Sequence, residues 1–233
     1  MTASIGAPAR RLLLSLAAGA LIAAPARAAD WSAEFALVSD YRYRGVSLSN
    51  GRPALQASIA AEHASGAYAE IWASSLTANG PSRAEVDATV GYAFDLGDGL
   101  SADVSATYYA YPSDPQANAF EVTGLIEAAK GPFTASLGLS TAPPQRGTRD
   151  DFGEKRANTY VFAGVACSLG DLPVTLRTSL GHERGPWDTA AEGGKWDWAA
   201  GAEADLEPVR IAVDFIGSNA GDHTLVGTLT LAF

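Results

Sequence analysis

The chain has 233 residues, 47% hydrophobic and 18% charged, which is too apolar for a disordered polymer and long enough for one or two domains. A formal charge of −10 speaks against a nucleic-acid partner, and a single cysteine, Cys167, rules out a disulfide within the chain.

The first predicted element is not part of the fold. Arg10 and Arg11 precede an apolar run from Leu12 to about Ala24, and Ala26-Arg27-Ala28 supplies an A-x-A cleavage pattern. The run is too short to span a bilayer comfortably, so residues 1–28 read as a secretory signal peptide and 29–233 as one domain. Cleavage removes 3 of the 16 basic residues and no acid, leaving 13 against 26 acids and a formal charge of −13. A small exported domain often uses disulfide staples, so this one needs another source of stability.

From Trp31 the dominant period is two. Trp31, Ala33, Phe35 and Leu37 share one face; continuing the count adds Tyr41 and Tyr43 to it and puts Asp40, Arg42 and Arg44 on the other. The same alternation runs through Ala84, Val86, Ala88, Val90, Tyr92 and Phe94, then Leu100 to Tyr108, then Leu225 to Phe233. Period two means strands with one apolar and one polar face. About twelve such runs lie near 31–39, 52–63, 67–76, 83–96, 100–111, 119–129, 133–140, 157–169, 174–181, 195–206, 209–217 and 223–233. No helical periodicity and no run of eighteen apolar residues follows Ala29.

The connections alternate in length. Ala64-Ser65-Gly66, Gly97-Asp98-Gly99, Lys130-Gly131-Pro132, Gly170 to Pro173 and Glu207-Pro208 are short, whereas those following the other strands are mostly longer, the longest near 141–155 and 182–194. All short turns then fall at one end and all long loops at the other, as in outer-membrane barrels. The expected fold is all-β: a transmembrane, antiparallel, up-and-down β-barrel of about twelve strands.

Charge along the polar face does not by itself separate a barrel from a soluble sandwich. The aromatics separate them better. Trp31, Tyr92, Phe94 and Phe133 fall on the apolar face near short turns; Tyr41, Tyr43, Tyr108, Tyr160, Trp196 and Trp198 fall on it near long loops; Phe233 ends the last run. Two such girdles bounding a band of Ala, Leu and Val mark a lipid-facing surface. The twelve residue steps from Trp31 to Tyr43, at about 3.3 Å each and tilted by about 40°, would rise roughly 30 Å, the hydrocarbon thickness. Asp40, Arg42, Arg44, Glu70, Glu85, Asp87, Asp103, Glu121, Arg177, Glu203, Asp205, Arg210 and Asp214 are then expected to line the lumen, with Glu127 among them.

The stretch Ser39-Asp40-Tyr41-Arg42-Tyr43-Arg44-Gly45-Val46-Ser47, following a signal peptide and a first strand, resembles the S-D-Y-x-x-R-G-[VI]-S motif of the TorF family of porin-like proteins. The resemblance runs through the whole mature chain. It implies an outer-membrane barrel with a pore function and brings no substrate or catalytic residue. The terminal Phe233 is similar to the signal by which the barrel-assembly machinery recognises its clients.

Other chemistry is poorly represented. His63, His182 and His223 are far apart and suggest no metal site; Asp150-Asp151 lacks the spacing of a calcium loop. No G-x-S-x-G elbow or phosphate loop occurs. His63 with Ser58 or Ser65 offers the simplest lipid hydrolase, and Cys167 reads as a passive small residue. No cofactor or catalytic residue is assigned. The expected function is passive diffusion of small hydrophilic solutes or ions through a monomeric channel in outer-membrane lipid, with a weak preference for cations because carboxylates dominate the lumen. The alternatives are a plugged structural or adhesive barrel using loops 141–155 and 182–194, and, less favoured, the hydrolase. Arg42 and Arg44 pairing with lumen acids is set against their forming an open binding site.

Overall fold

A computed structural model describes residues 29–77, 81–190 and 193–233, so the signal-peptide reading of 1–28 lies outside the described residues. In chain order the strands are β1 (Asp30–Val38), the two-residue β2 (Arg42–Tyr43) and β3 (Val46–Ser47), β4 (Ala54–Glu62), β5 (Ala67–Ser75), β6 (Ala84–Gly97), β7 (Leu100–Ala110), β8 (Ala119–Lys130), β9 (Phe133–Ala142), β10 (Asn158–Ser168), β11 (Val174–Arg184), β12 (Lys195–Leu206), β13 (Val209–Ser218) and β14 (Thr224–Ala232). The twelve longer strands pair antiparallel with their chain neighbours and close into a barrel, β1 bonding both β4 and β14. β2 and β3 form a separate two-stranded sheet. The twelve-stranded antiparallel barrel is therefore the observed fold.

Short turns join the strands at one end, as at Gly97-Asp98-Gly99, where all three residues have positive φ and glycine makes the conformation cheap. The long connections, 39–53, 111–118 and 143–157 among them, gather at the other end. An eleven-residue strand such as β7 is roughly 36 Å long and, tilted by about 40°, rises roughly 28 Å.

The distribution of polarity is inverted relative to a soluble protein. Leu137 is 59% exposed, Ile126 53% and Val104 51%, while Glu183 is 0% exposed, Glu85 1% and Glu121 2%. Apolar residues that a sandwich would pack in its core point outward, and ionisable groups are enclosed. Among the aromatics expected on the outer face, Trp31, Tyr92, Phe94, Tyr108, Phe133, Trp196 and Phe233 are exposed and Trp198 is half-buried. The seam closes at Ala33 and Phe233, whose backbones exchange hydrogen bonds of 2.9 and 3.1 Å. The Phe233 ring meets Phe35 edge-on at 6.2 Å.

Three aromatics depart from the alternation. β1 ends at Val38 rather than running on to Tyr43. At its end Ser39 donates its backbone N–H to the Gly227 carbonyl and accepts the Gly227 N–H on its hydroxyl, both at 2.9 Å. The chain then turns into the lumen and carries Tyr41 and Tyr43 away from the lipid face. Tyr160 also faces inward. On β10 the outward residues are Val161, Ala163 and Val165, so the even-numbered Tyr160 and Phe162 point to the interior, stacked at 5.3 Å. Glycines on the neighbouring strands make room: a Cβ on Gly181 would lie 2.1 Å from the Tyr160 hydroxyl, and one on Gly138 2.1 Å from the Phe162 ring.

Candidate functional site

The site is built by segment 39–53, which folds into the barrel mouth instead of projecting from it. Asp40 ties the segment together. One carboxylate oxygen accepts from the Ser47 hydroxyl at 2.5 Å, the Ser49 hydroxyl at 2.9 Å and the Gly51 N–H at 3.2 Å. The other accepts from Arg42 Nε at 2.6 Å. Within this knot β2 pairs with β3 around Arg44-Gly45, with φ of 47° and 79°. Positive φ at both centres is what a tight two-residue hairpin needs. Gly45 is also required by contact, since a Cβ there would lie 2.7 Å from the Gly217 carbonyl oxygen and 2.8 Å from Ser218 Cβ.

One side of the segment is greasy. Tyr41 packs with Val38, Ala54, Leu76 and Val226, flanked by Leu48 and Trp72, on the inner wall. Its hydroxyl donates to Glu85 at 2.9 Å, and Tyr111 donates to the other oxygen of Glu85 at 2.6 Å. Burial holds the Tyr41 and Tyr43 hydroxyls well above the ordinary phenol pKa, so both stay protonated donors.

The tip carries Arg44. Its two terminal nitrogens donate to Glu183 on β11 at 2.5 Å and to Glu121 on β8 at 2.6 Å. The guanidinium lies 4.1 Å from the Tyr160 ring centroid, 4.7 Å from that of Tyr43 and 6.0 Å from that of Trp187. Glu183 also pairs with Lys195 at 2.5 Å and accepts from Asn158 at 2.9 Å; Glu121 accepts from Tyr109 at 2.9 Å. Asp197 accepts from Tyr160 at 2.9 Å. Buried atoms of this cage that have no hydrogen-bond partner include Arg44 Nε, Glu121 Oε1 and Asp197 Oδ2. At the rim, Arg42 reaches Asp222 at 2.9 Å and lowers its pKa through that hydrogen bond. The segment thus meets β5, β6, β7, β8, β10, β11, β12, β13 and β14, most of the circumference, and stoppers the loop end.

The long loops cover the same half. The Trp187 indole donates to the Gly147 carbonyl at 2.8 Å, and Gln145 bonds both the N–H and the carbonyl of Phe120, at 2.7 and 2.6 Å. Nearer the short-turn end, charge is divided between two walls. Arg177 on β11 grips Asp214 at 2.7 and 2.9 Å and Glu203 at 2.6 Å, and Arg210 reaches Glu34 at 3.3 Å. Across the lumen Glu70, Asp87, Asp103 and Glu127 sit on the adjacent strands β5 to β8, with Tyr68 donating to Asp103. Asp205 is exposed at the short-turn end of β12.

The structure thus brings Asp40, Arg42, Arg44, Glu85 and Glu121 together at the mouth and Arg177, Glu203, Arg210 and Asp214 below it. Glu183, Lys195, Asp197, Asn158 and Trp187 were not singled out in the sequence. Glu183 had a usable signal: it continues the inward series Thr175, Arg177, Ser179 and Gly181. His63 Nδ1 meets the Ser65 hydroxyl at 2.9 Å and accepts the Ser65 N–H at 3.2 Å, a local turn that ties the ring down.

In fold the barrel is similar to the KdgM porin, solved alone and in complex with disordered oligogalacturonate; in each comparison the TM-score is 0.61 at 8% identity, covering 87% of this chain and 98% of that one. It is also similar to the NanC porin, with a TM-score of 0.56 at 11% identity and the same coverages of 87% and 98%. No curated protein matches the chain in sequence. The family model described as "Bacterial protein of unknown function (Gcw_chp)" matches residues 22–231, and the chain belongs to that family.

Proposed function

We propose that the protein is an outer-membrane, porin-like channel for passive diffusion of small hydrophilic solutes or ions, with segment 39–53 as its constriction. The observation that carries this reading is the inversion of polarity on a closed sheet. A continuous apolar exterior suits acyl chains, closure pairs the wall strands around the cylinder, and an interior rich in ionisable groups suits water or a polar solute. The porin folds it resembles and the TorF-like motif agree with this reading. Residues 1–28 act as the export signal, and Phe233 serves the barrel-assembly machinery. The barrel functions as a monomer.

Acids outnumber bases on the inner face, and the wall formed by Glu70, Asp87, Asp103 and Glu127 favours cations. Conductance of the purified barrel in a planar bilayer, with reversal potentials in asymmetric KCl, is the test. A folded barrel that never conducts, even without its hairpin, rules out the channel.

One observation favours a second reading. The hairpin engages so much of the wall that the barrel could serve as a closed platform for its external loops. Deleting residues 143–157 separates the two: a channel keeps its conductance, and a platform loses its partner.

A further inference from the structure

We infer that the cage around Arg44 is a guanidinium-recognition site occupied by the protein's own arginine, and that guanidinium-bearing organic cations are the solutes able to displace it. The consequence for transport rests on the channel reading above; the binding does not.

The cage fits one kind of cation. Glu121 and Glu183 come from separate strands and each takes one terminal nitrogen of the same planar fork, at 2.6 and 2.5 Å. The Tyr160 ring lies under the guanidinium at 4.1 Å. A delocalised planar cation uses two carboxylates and an aromatic face together, whereas a compact ammonium is served by one carboxylate and held in water by its hydration. The same cage shows the contrast: Lys195 engages Glu183 alone, at 2.5 Å.

Arg44 is built as a removable occupant. It sits at the turn of a hairpin whose backbone pairs with itself rather than with the barrel. Without it the wall keeps three carboxylates, Glu121, Glu183 and Asp197, against the single cation Lys195. Enclosed carboxylates in that ratio need a replacement cation. The cage also has spare acceptors, since Glu121 Oε1 and Asp197 Oδ2 are buried without a hydrogen-bond partner. A free guanidinium compound can restore what Arg44 takes away; water cannot.

Calorimetric titration of the refolded Arg44→Ala barrel in detergent micelles tests the cage. Ethylguanidinium should bind saturably, ethylammonium about tenfold more weakly or not at all, and Glu183→Gln in the same background should weaken ethylguanidinium by about tenfold, the worth of a hydrogen bond to a charged group. If Arg44→Ala does not fold, Arg44→Lys replaces it, and ethylguanidinium should displace the lysine where ethylammonium does not. Absence of saturable binding, or binding indifferent to Glu183→Gln, overturns the inference. In bilayers, ethylguanidinium on the loop side should raise the open probability of the wild-type barrel. Binding by a barrel that never conducts would remove the channel and leave the cage; conduction without guanidinium binding would remove the cage and leave the channel.

Discussion

Replacing Arg44 with methionine keeps most of the side chain's length and removes its charge. Breaking a buried ion pair by deleting one partner costs about 3–5 kcal/mol, chiefly because the other charge is left uncompensated. Here Glu183 retains Lys195 at 2.5 Å and Asn158 at 2.9 Å, and Glu121 retains Tyr109 at 2.9 Å. The loss should therefore fall at the low end, about 3 kcal/mol. With a urea slope of about 2 kcal/mol/M, that lowers the unfolding midpoint by about 1.5 M. Glu121→Gln added to Arg44→Met removes the stranded charge and should recover about 1–2 kcal/mol. The assay is urea unfolding of the refolded barrel in micelles, followed by tryptophan fluorescence, with single-channel recordings on the same samples. Arg44→Met should be less stable and conduct more. A variant with unchanged midpoint and unchanged conductance would show that the clamp neither holds the hairpin nor blocks the lumen.

Gly45→Ala places a side chain at φ 79° and 2.7 Å from the Gly217 oxygen; the backbone strain alone is about 1–3 kcal/mol, and increased conductance should accompany the lower urea midpoint. Val213→Arg, outward at mid-strand on β13, should cost about 2–4 kcal/mol in lipid vesicles, while Ser58→Arg on the inner face of β4 should fold normally and shift the reversal potential toward anions. Asp87→Asn with Asp103→Asn should move the reversal potential toward zero, and no change would remove these carboxylates from the filter. Asp222→Ala should alter stability by less than about 1 kcal/mol, because that carboxylate is exposed. Since Arg42 lowers the Asp222 pKa, the small contribution is present at neutral pH and lost as pH falls through the folded-state value, which unfolding of wild type and variant at pH 7 and pH 3 would compare.

The barrel was legible because period two repeats. From Ala84 to Phe94 every second residue is apolar, and β6 presents that series outward. The failures have specific causes. Tyr160, Val161 and Phe162 are three aromatic or aliphatic residues in a row, so alternation cannot say which of them faces lipid; the glycines that seat Tyr160 and Phe162 lie on other strands. Tyr41 and Tyr43 kept the outward phase past the end of β1, and the signal against it was local: Arg44-Gly45 between Tyr43 and Val46 is a two-residue turn. Glu183 reads as loop because His182-Glu183-Arg184 is polar, although a polar inward residue is what a barrel mouth contains. The clamp itself was out of reach. Arg44 meets partners 77 and 139 residues away, and a pattern of neighbours carries no record of such pairs.

The hairpin is synthesised early and can be seated only late. Its contacts run from Glu121 on β8 and Glu183 on β11 to Gly217 on β13. A partly assembled sheet, still open along the edge where β1 will meet β14, cannot offer them all at once. The segment therefore reaches its full set of contacts only once the last strand has paired with the first.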